Sequence, residues 1–486
     1  MLVGAPLTPI EDRQELVGRR VHLLGAGGSG MRSLAHVLAA RGARLSAADA
    51  NPEALDASLE ACCQAGVTKH ALLPLETPDE LIVTDAISSQ HPVLLEARRR
   101  QIDVVRYPAA LGRLLAGQHG IAVAGTHGKS TTTALLGHLL SQAGWDPTVV
   151  VGASPIGQSS GGRDGCGEHV VIEACEYRRN FWQLAPRTAL LLDIEADHFD
   201  CFRDRDEVLA AFMGFAERMP SDGLLLLACQ RDARELLERC APCRTVSVSD
   251  DATADWHVSR QLRDGGRYAA WLRPKLGPEL LIAPDLPGAH NLDNAVAAAV
   301  TAAELGVPGE LVAAGVAAFR GVHRRLEVLG TWRGVTVVDD YAHHPTAVRR
   351  TIDALRRMYP GRRLWCVFEP HQISRTEALL GEFAASLGRA DGVCVLPVFL
   401  ARELNDSAAG GEEIAENRAA TLAQSLRDRI RWGRTPVVTW QGSPGEGAAI
   451  EESWRPGDVI VTMGAGNVRK VTDGLIDRLR RDRATA

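Results

Sequence analysis

Lysine is nearly missing from this sequence. Of 54 basic residues only Lys69, Lys129, Lys275 and Lys470 are lysines, and arginine supplies the rest. Positive charge is not gathered into a block and the formal net charge is −6, so no surface that tracks nucleic-acid phosphates is expected. Long apolar runs are missing too. Stretches such as Leu224-Leu-Leu-Leu-Ala-Cys229 fall far short of the ~20 residues that cross a bilayer. The start, Met1-Leu-Val-Gly-Ala-Pro6, lacks the basic and apolar regions of a signal peptide. The ten cysteines are scattered, and the single C-x-x-C pair, Cys240 and Cys243, has no second pair at zinc-ribbon spacing. Free thiols are therefore expected. No predicted strand runs through a G-x-S-x-G elbow into a helix (the string Gly157-Gln-Ser-Ser-Gly161 lacks that setting), and adjacent His343-His344 cannot easily both face one zinc ion, which sets aside a serine hydrolase and a zinc enzyme. These absences predict a cytoplasmic protein with no membrane insertion and no nucleic-acid partner.

What is present is organised around one stretch. With 486 residues, 45% hydrophobic and 23% charged, the chain has material for roughly three domains. An apolar run, Gly120-Ile-Ala-Val-Ala124, predicts a buried strand. Gly125 and Gly128 then punctuate a tight loop, and Lys129-Ser130 open a helix carrying Leu135, Leu136, Leu139 and Leu140. Strand, glycine loop and helix N-terminus make an anion cradle of backbone N–H groups. Lys129 is placed to reach terminal phosphates and the Ser130 hydroxyl to ligate Mg²⁺. A lysine kept here, in a chain that otherwise uses arginine, points to a need for a compact ammonium. Generic P-loop spacing asks for glycine at position 123, where Val123 stands.

A second glycine loop, Gly25-Ala-Gly27-Gly28-Ser29-Gly30, follows the predicted strand Val21–Leu24, with Asp49 about twenty residues on. This pattern predicts a diphosphate on a helix N-terminus and is met by a dinucleotide or a UDP-sugar alike. Further βα units are expected around 82–84, 86–89 and 104–105. Glu173 and His198 close predicted strands, where open α/β sheets bind ligands; with Ser130 they are candidates for a Mg²⁺ site. Polar–apolar alternation over 246–286 predicts a small β extension. Asn291 and Asn294 open an Ala-rich helix and could read a purine edge. Arg324 and Arg325 lie at an apparent junction, where a cation could reach a transferring phosphoryl group. The region 405–416, acidic and rich in glycine, is expected to be a surface loop. The fold predicted is α/β in three domains with parallel sheets. They are a Rossmann-like N-terminal domain (18–117), a P-loop NTPase-like central domain with the β extension (118–328), and a Rossmann-like C-terminal domain (329–486).

These motifs, in this order, resemble the Mur ligase family of peptidoglycan precursor synthesis. The matching strings are Gly25 to Met31, Gly125 to Thr133, Ile194 to His198, His290 to Asn294, Gly321 to Arg325, Asp339-Asp-Tyr-Ala-His-His-Pro345, Pro370 to Thr376 and Met463 to Gly466. The resemblance spans essentially the whole chain, and is nearest to the members that join L-alanine to UDP-N-acetylmuramate using ATP and Mg²⁺. It implies that Gly25, Gly27, Gly28 and Gly30, with His371 and Arg375, bind the UDP-sugar. Gly125, Thr126, His127, Gly128, Lys129, Ser130, Thr131, Asn291, Asn294, Arg325, Asp340 and Tyr341 would bind ATP. Ser130, Glu173 and His198 would hold the metal, and His343, His344 and Arg375 would line the amino-acid pocket. Lys129, Arg325, His198 and His344 would be catalytic. The implied partners are small molecules only, and the implied state is a monomer or weak homodimer. Later amino-acid-adding members carry a carbamylated central-domain lysine. No lysine lies between Lys129 and Lys275, which fits the alanine-adding members.

Three strings depart from the family's pattern. E-A-D-E-S-D becomes Glu173-Ala-Cys-Glu-Tyr-Arg178, P-H-R becomes Pro370-His371-Gln372, and G-A-G-D becomes Gly464-Ala-Gly-Asn467. The rival expectations are a tripeptide-adding murein-peptide ligase of recycling, a catalytically silent sugar-nucleotide binder, and a nicotinamide-dependent dehydrogenase resting on the first glycine loop and Asp49.

Overall fold

The computed structural model describes residues 16–480, apart from 52–54, 56, 65, 69–72, 75, 401–410, 434 and 440–452. Three sheets, of five, ten and six strands, follow one another along the chain. The first holds Arg20–Leu24 between Arg44–Ala48 and Glu80–Val83, with Val67–Thr68 and Asp103–Arg106 at its edges, all parallel. The strand order turns back at Arg20–Leu24, so the crevice for a ligand opens at that strand's carboxyl end. The glycine loop leaves from there. Asp49 holds it by accepting a hydrogen bond from the Gly27 N–H at 2.8 Å. Gly25 adopts φ +81°, and a Cβ there would strike Thr84. The expected strand at 86–89 is instead a turn, because the Ile87 N–H bonds back to the Thr84 carbonyl and Arg106 donates to the Thr84 and Ile87 carbonyls.

The central sheet places the P-loop strand His119–Ala124 between His169–Glu173 and Thr188–Leu191, all parallel. Nearly every residue of these strands is buried, as expected of a parallel sheet covered on both faces. Three strand ends therefore meet side by side, bringing the P-loop, Glu173 and the segment 192–198 together. The helix Lys129–Gln142 is buried on almost every side, wedged against the helix Ala289–Glu304. The β extension consists of Trp256–Leu262, Tyr268–Pro274 and Leu280–Ile282, antiparallel to one another and continuous with the main sheet through Arg244–Ser249.

In the third sheet Val335–Asp340, Val459–Met463, Leu364–Phe368, Gly392–Val395 and Val437–Thr439 run parallel, while the edge strand Glu327–Trp332 is antiparallel. The expectation of wholly parallel sheets thus needs correcting here, in the β extension and at the other edge of the central sheet, where Gly162–Arg163 pairs antiparallel with Thr148–Val150. Arg333 and Gly334, both at positive φ, form a two-residue connection of the kind that joins antiparallel hairpins, too short for a crossover. A helix, Gly411–Trp432, covers part of the region expected to be a loop; 405–410 lie outside the described residues.

Two dockings position the site. The helix Ser29–Ala40 packs on the central domain, where Ser33 Oγ donates to the Val151 carbonyl at 2.6 Å and Gly161 and Gly162 leave room for its approach. The third domain closes on the segment after Thr188–Leu191 through four bonds. Arg350 reaches Asp193 at 2.7 Å, Thr346 reaches Glu195 at 2.7 Å, His344 reaches the Ala196 carbonyl at 3.2 Å, and Arg375 reaches Asp197 at 2.7 Å.

Candidate active site

Two cavities meet at the carboxyl ends of the central strands. The smaller, about 240 Å³, is walled by Thr126 to Thr131, Glu173, His198, Asn291 and Asn294 from the central domain, and by Asp340, Tyr341, His343 and His344 from the third. The larger, about 600 Å³, runs from Gly27 and Gly28 past Gly152 to Arg324. Ser130, Glu173, Arg325 and Tyr341 line both. A molecule held at the glycine loop and another in the P-loop would therefore share one wall.

The P-loop geometry explains the valine at position 123. Val123 still belongs to the strand, fully buried in the core, and the loop begins only at Gly125, with φ +143°. Gly128, at φ +79°, caps the helix, and a Cβ there would collide with the Asn294 carboxamide. Lys129 Nζ donates to the Gly125 carbonyl at 2.6 Å and to both oxygens of Glu176 at 3.0 and 2.9 Å. Burial opposes charge on both partners, but their mutual attraction outweighs it. The Lys129 pKa is raised, and Glu176, also near His198, is held down at about 2. Ser130 Oγ lies 3.0 Å from Glu173 and accepts from Arg325 at 3.2 Å. The other Glu173 oxygen accepts from the Gly152 N–H at 2.6 Å. Arg325 also lies over the Tyr341 ring, 4.8 Å from its centroid, a cation–π contact that holds the guanidinium at the shared wall.

The other candidates are placed less uniformly. Gly27 and Gly28 line the larger cavity, whereas Gly30 sits where a Cβ would meet Tyr107. Asn291 donates to the Pro287 carbonyl at 2.7 Å, and Asn294 Oδ1 lies 3.4 Å from Thr132 Oγ1. Asp340 is a buried junction that accepts from the N–H groups of Leu326 and Ala342 and from the Thr351 hydroxyl; burial pushes its pKa up to about 6. His343 Nδ1 contacts the Tyr341 carbonyl at 2.8 Å and must carry the proton, since a carbonyl only accepts. Arg375 is 2% exposed and paired with Asp197. It also contacts His371, which packs against Phe399, and neither Arg375 nor His371 lines either cavity. Burial would raise Asp197, but Arg375 and the neighbouring histidines hold its pKa well below the carboxylate range.

Sequence reasoning passed over Glu176, Gly152, Glu195 and Asp197. Glu176 had a signal, since it stands three residues after Glu173 in a string that already looked functional. Gly152 had none, because its role is only to aim one backbone N–H at Glu173.

Three family profiles match the chain: the Mur ligase family catalytic domain over 20–119, the Mur ligase middle domain over 123–302, and the Mur ligase glutamate ligase domain over 324–466. A UDP-N-acetylmuramate–L-alanine ligase from Desulfitobacterium hafniense is 35% identical over 94% of this chain and 99% of its own length. The chain belongs to the Mur ligase family. Among solved structures, the UDP-N-acetylmuramate–alanine ligase of Thermotoga maritima superposes with a TM-score of 0.76 at 21% identity, over 94% of this chain and 98% of the other. A murein peptide ligase from Psychrobacter arcticus does so at 0.72 and 25% identity, over 96% and 100%. This Mur ligase is thus an ATP-dependent ligase with the three-domain α/β architecture of its relatives. Among the described residues, no helix is long and apolar enough to cross a membrane.

Proposed function

We propose that this Mur ligase activates the carboxylate of UDP-N-acetylmuramate with ATP and joins it to the amine of L-alanine. The observation that carries the reading is the shared wall, where Ser130, Glu173, Arg325 and Tyr341 face both cavities. The UDP-sugar diphosphate would lie at Gly27 and Gly28, with its carboxylate reaching the wall from one side. ATP would enter the P-loop and reach it from the other. The carboxylate attacks the γ-phosphorus, ADP leaves, and the acyl phosphate is then opened by the amine with loss of phosphate.

The protein's part is charge placement. Lys129 leaves Glu176 for the β- and γ-phosphates, and Arg325 neutralises charge on the transferring group, the dominant contribution in such transfers. Closure of the third domain on 193–197 keeps out water that would hydrolyse the acyl phosphate. Mg²⁺ belongs to the same reading, because the Ser130 hydroxyl and Glu173 carboxylate, 3.0 Å apart, offer the hard oxygen donors it takes, with His198 on the same cavity. When bound it would neutralise phosphate charge. His344 and His343 would bound the amino-acid pocket. Arg375 and His371 would act behind that pocket, through Asp197, rather than on the UDP-sugar. The same reading has the enzyme work in the cytoplasm as a monomer or weak homodimer.

The amino acid is assigned from the curated relatives, which are named as L-alanine ligases. The test is phosphate release from MgATP and UDP-N-acetylmuramate with L-alanine, glycine, L-serine and the L-Ala-γ-D-Glu-diamino-acid tripeptide in parallel. Preference for L-alanine, lost in Lys129→Ala, is expected. Turnover with the tripeptide alone would move the protein to murein recycling, and no turnover with any of them would leave a binding protein.

A further inference from the structure

One side-chain cluster at the edge of the nucleotide cavity enters the chemistry above only through His344, as a wall of the amino-acid pocket, and through Glu195, in the segment on which the third domain closes. His127 in the P-loop, Glu195 after the strand Thr188–Leu191, and His344 at the start of the third domain's first helix each offer a ligand atom, all within 4.8 Å of one another. The geometry points to a binding site for a borderline transition cation, Zn²⁺ in the first instance, that ties the P-loop to the third domain. It is separate from the Mg²⁺ site at Ser130, Glu173 and His198.

The distances suit such an ion. A tetrahedral Zn²⁺ with bonds of about 2.0–2.2 Å holds its ligand atoms roughly 3.4 Å apart. His127 Nε2 stands 3.2 Å from Glu195 Oε2, and His344 Nδ1 stands 3.7 Å from the same oxygen. Only the histidine–histidine separation, with ring centroids 4.9 Å apart, must close; His344 is buried and held by the Ala196 carbonyl, so the adjustment falls to the less buried His127 ring.

The proton arrangement gives a second, independent argument. His344 Nε2 faces the Ala196 carbonyl at 3.2 Å, and a carbonyl can only accept, so that nitrogen carries the proton. His344 Nδ1 therefore presents a lone pair towards the Glu195 carboxylate, two acceptors face to face. Among the described residues, only the Thr346 N–H, at a long 3.3 Å, donates to Nδ1. A cation between them removes the repulsion. An imidazole whose far N–H is held by a backbone carbonyl is also the usual state of a metal-ligating histidine, since that bond fixes the tautomer and orients the ring. Two imidazoles with one carboxylate favour Zn²⁺ over Mg²⁺, which prefers an all-oxygen shell. The fourth position is left to solvent.

Zn²⁺ binding is measured on the full chain without nucleotide, in millimolar Mg²⁺, by competition with a chromophoric chelator. Co²⁺ absorption serves as the geometric readout. One Zn²⁺ per chain is expected, with a Co²⁺ spectrum of tetrahedral intensity and a melting temperature that rises with Zn²⁺. Glu195→Gln and His127→Gln should each weaken binding by at least about tenfold, the lower end of what even outer partners of a metal contribute. Glu173→Gln should leave it unchanged. Circular dichroism of the variants reports whether they fold. No saturable binding to the parent protein overturns the proposal. So does parental affinity in both folded ligand variants, or loss of binding in Glu173→Gln. Because no substrate is present, the result is independent of whether the ligase reading holds.

Discussion

Glu176→Gln separates the resting site from the occupied one. Glu176 is 1% exposed, takes two bonds from Lys129, and lies 3.4 Å from His198. Truncating one partner of a buried ion pair costs about 3–5 kcal/mol, because the other charge is left uncompensated. Glutamine keeps the volume and one acceptor, and Lys129 keeps the Gly125 carbonyl at 2.6 Å, so the lower end, about 3 kcal/mol, applies. For a unit the size of the central domain, about 2–4 °C per kcal/mol converts this to a fall of roughly 6–12 °C in the nucleotide-free protein. Saturating ATP supplies phosphate charge to Lys129 in place of the carboxylate, and the deficit should shrink to about 1 kcal/mol or less. With its competitor removed, Lys129 should also bind nucleotide more readily, lowering the KM for ATP. The assay is thermal melting with and without nucleotide, alongside ATP saturation curves. An equal fall in both states, or no fall in either, would refute the idea that Glu176 stands in for phosphate. The acid side has a defined sign as well. A carboxylate held down at about 2 stabilises the fold fully above its unfolded value near 4.5, and that stabilisation disappears as pH drops towards 2. Glu176→Gln should therefore remove part of the acid sensitivity between those limits.

Gly128→Ala should abolish ATP-dependent stabilisation while leaving the sugar-nucleotide site able to bind, because its φ of +79° and the Asn294 contact bar a side chain there; calorimetry with each nucleotide checks it. Glu369 has the opposite sign from Glu176. Burial pushes its pKa up to about 7, against the N–H groups at the start of the last described helix. Its charged form therefore costs stability, which should decline as pH rises from about 4.5 through 7. Glu369→Gln should flatten that decline and melt higher than the parent at pH 8.

Much of this protein could be read from residue order alone. The P-loop is local, since a strand, two glycines and a helix N-terminus in one run determine where backbone N–H groups point. The same holds for the Gly25–Gly30 loop. The small β extension was legible because a strand with one covered face alternates in sequence. The single antiparallel edge strand of the third sheet was not, because its direction depends on a two-residue turn at Arg333-Gly334 and leaves no trace in the strand's composition. Tertiary structure alone decided the site's electrostatics. Nothing in the sequence says that Lys129 rests on Glu176, that one Gly152 N–H aims Glu173, or that the segment 193–197 receives Arg350, Thr346, His344 and Arg375 from over 140 residues away. Nor does composition show that two cavities share Arg325 and Tyr341. Those facts depend on how strand ends and domains come to lie side by side, and charges act through space rather than along the chain.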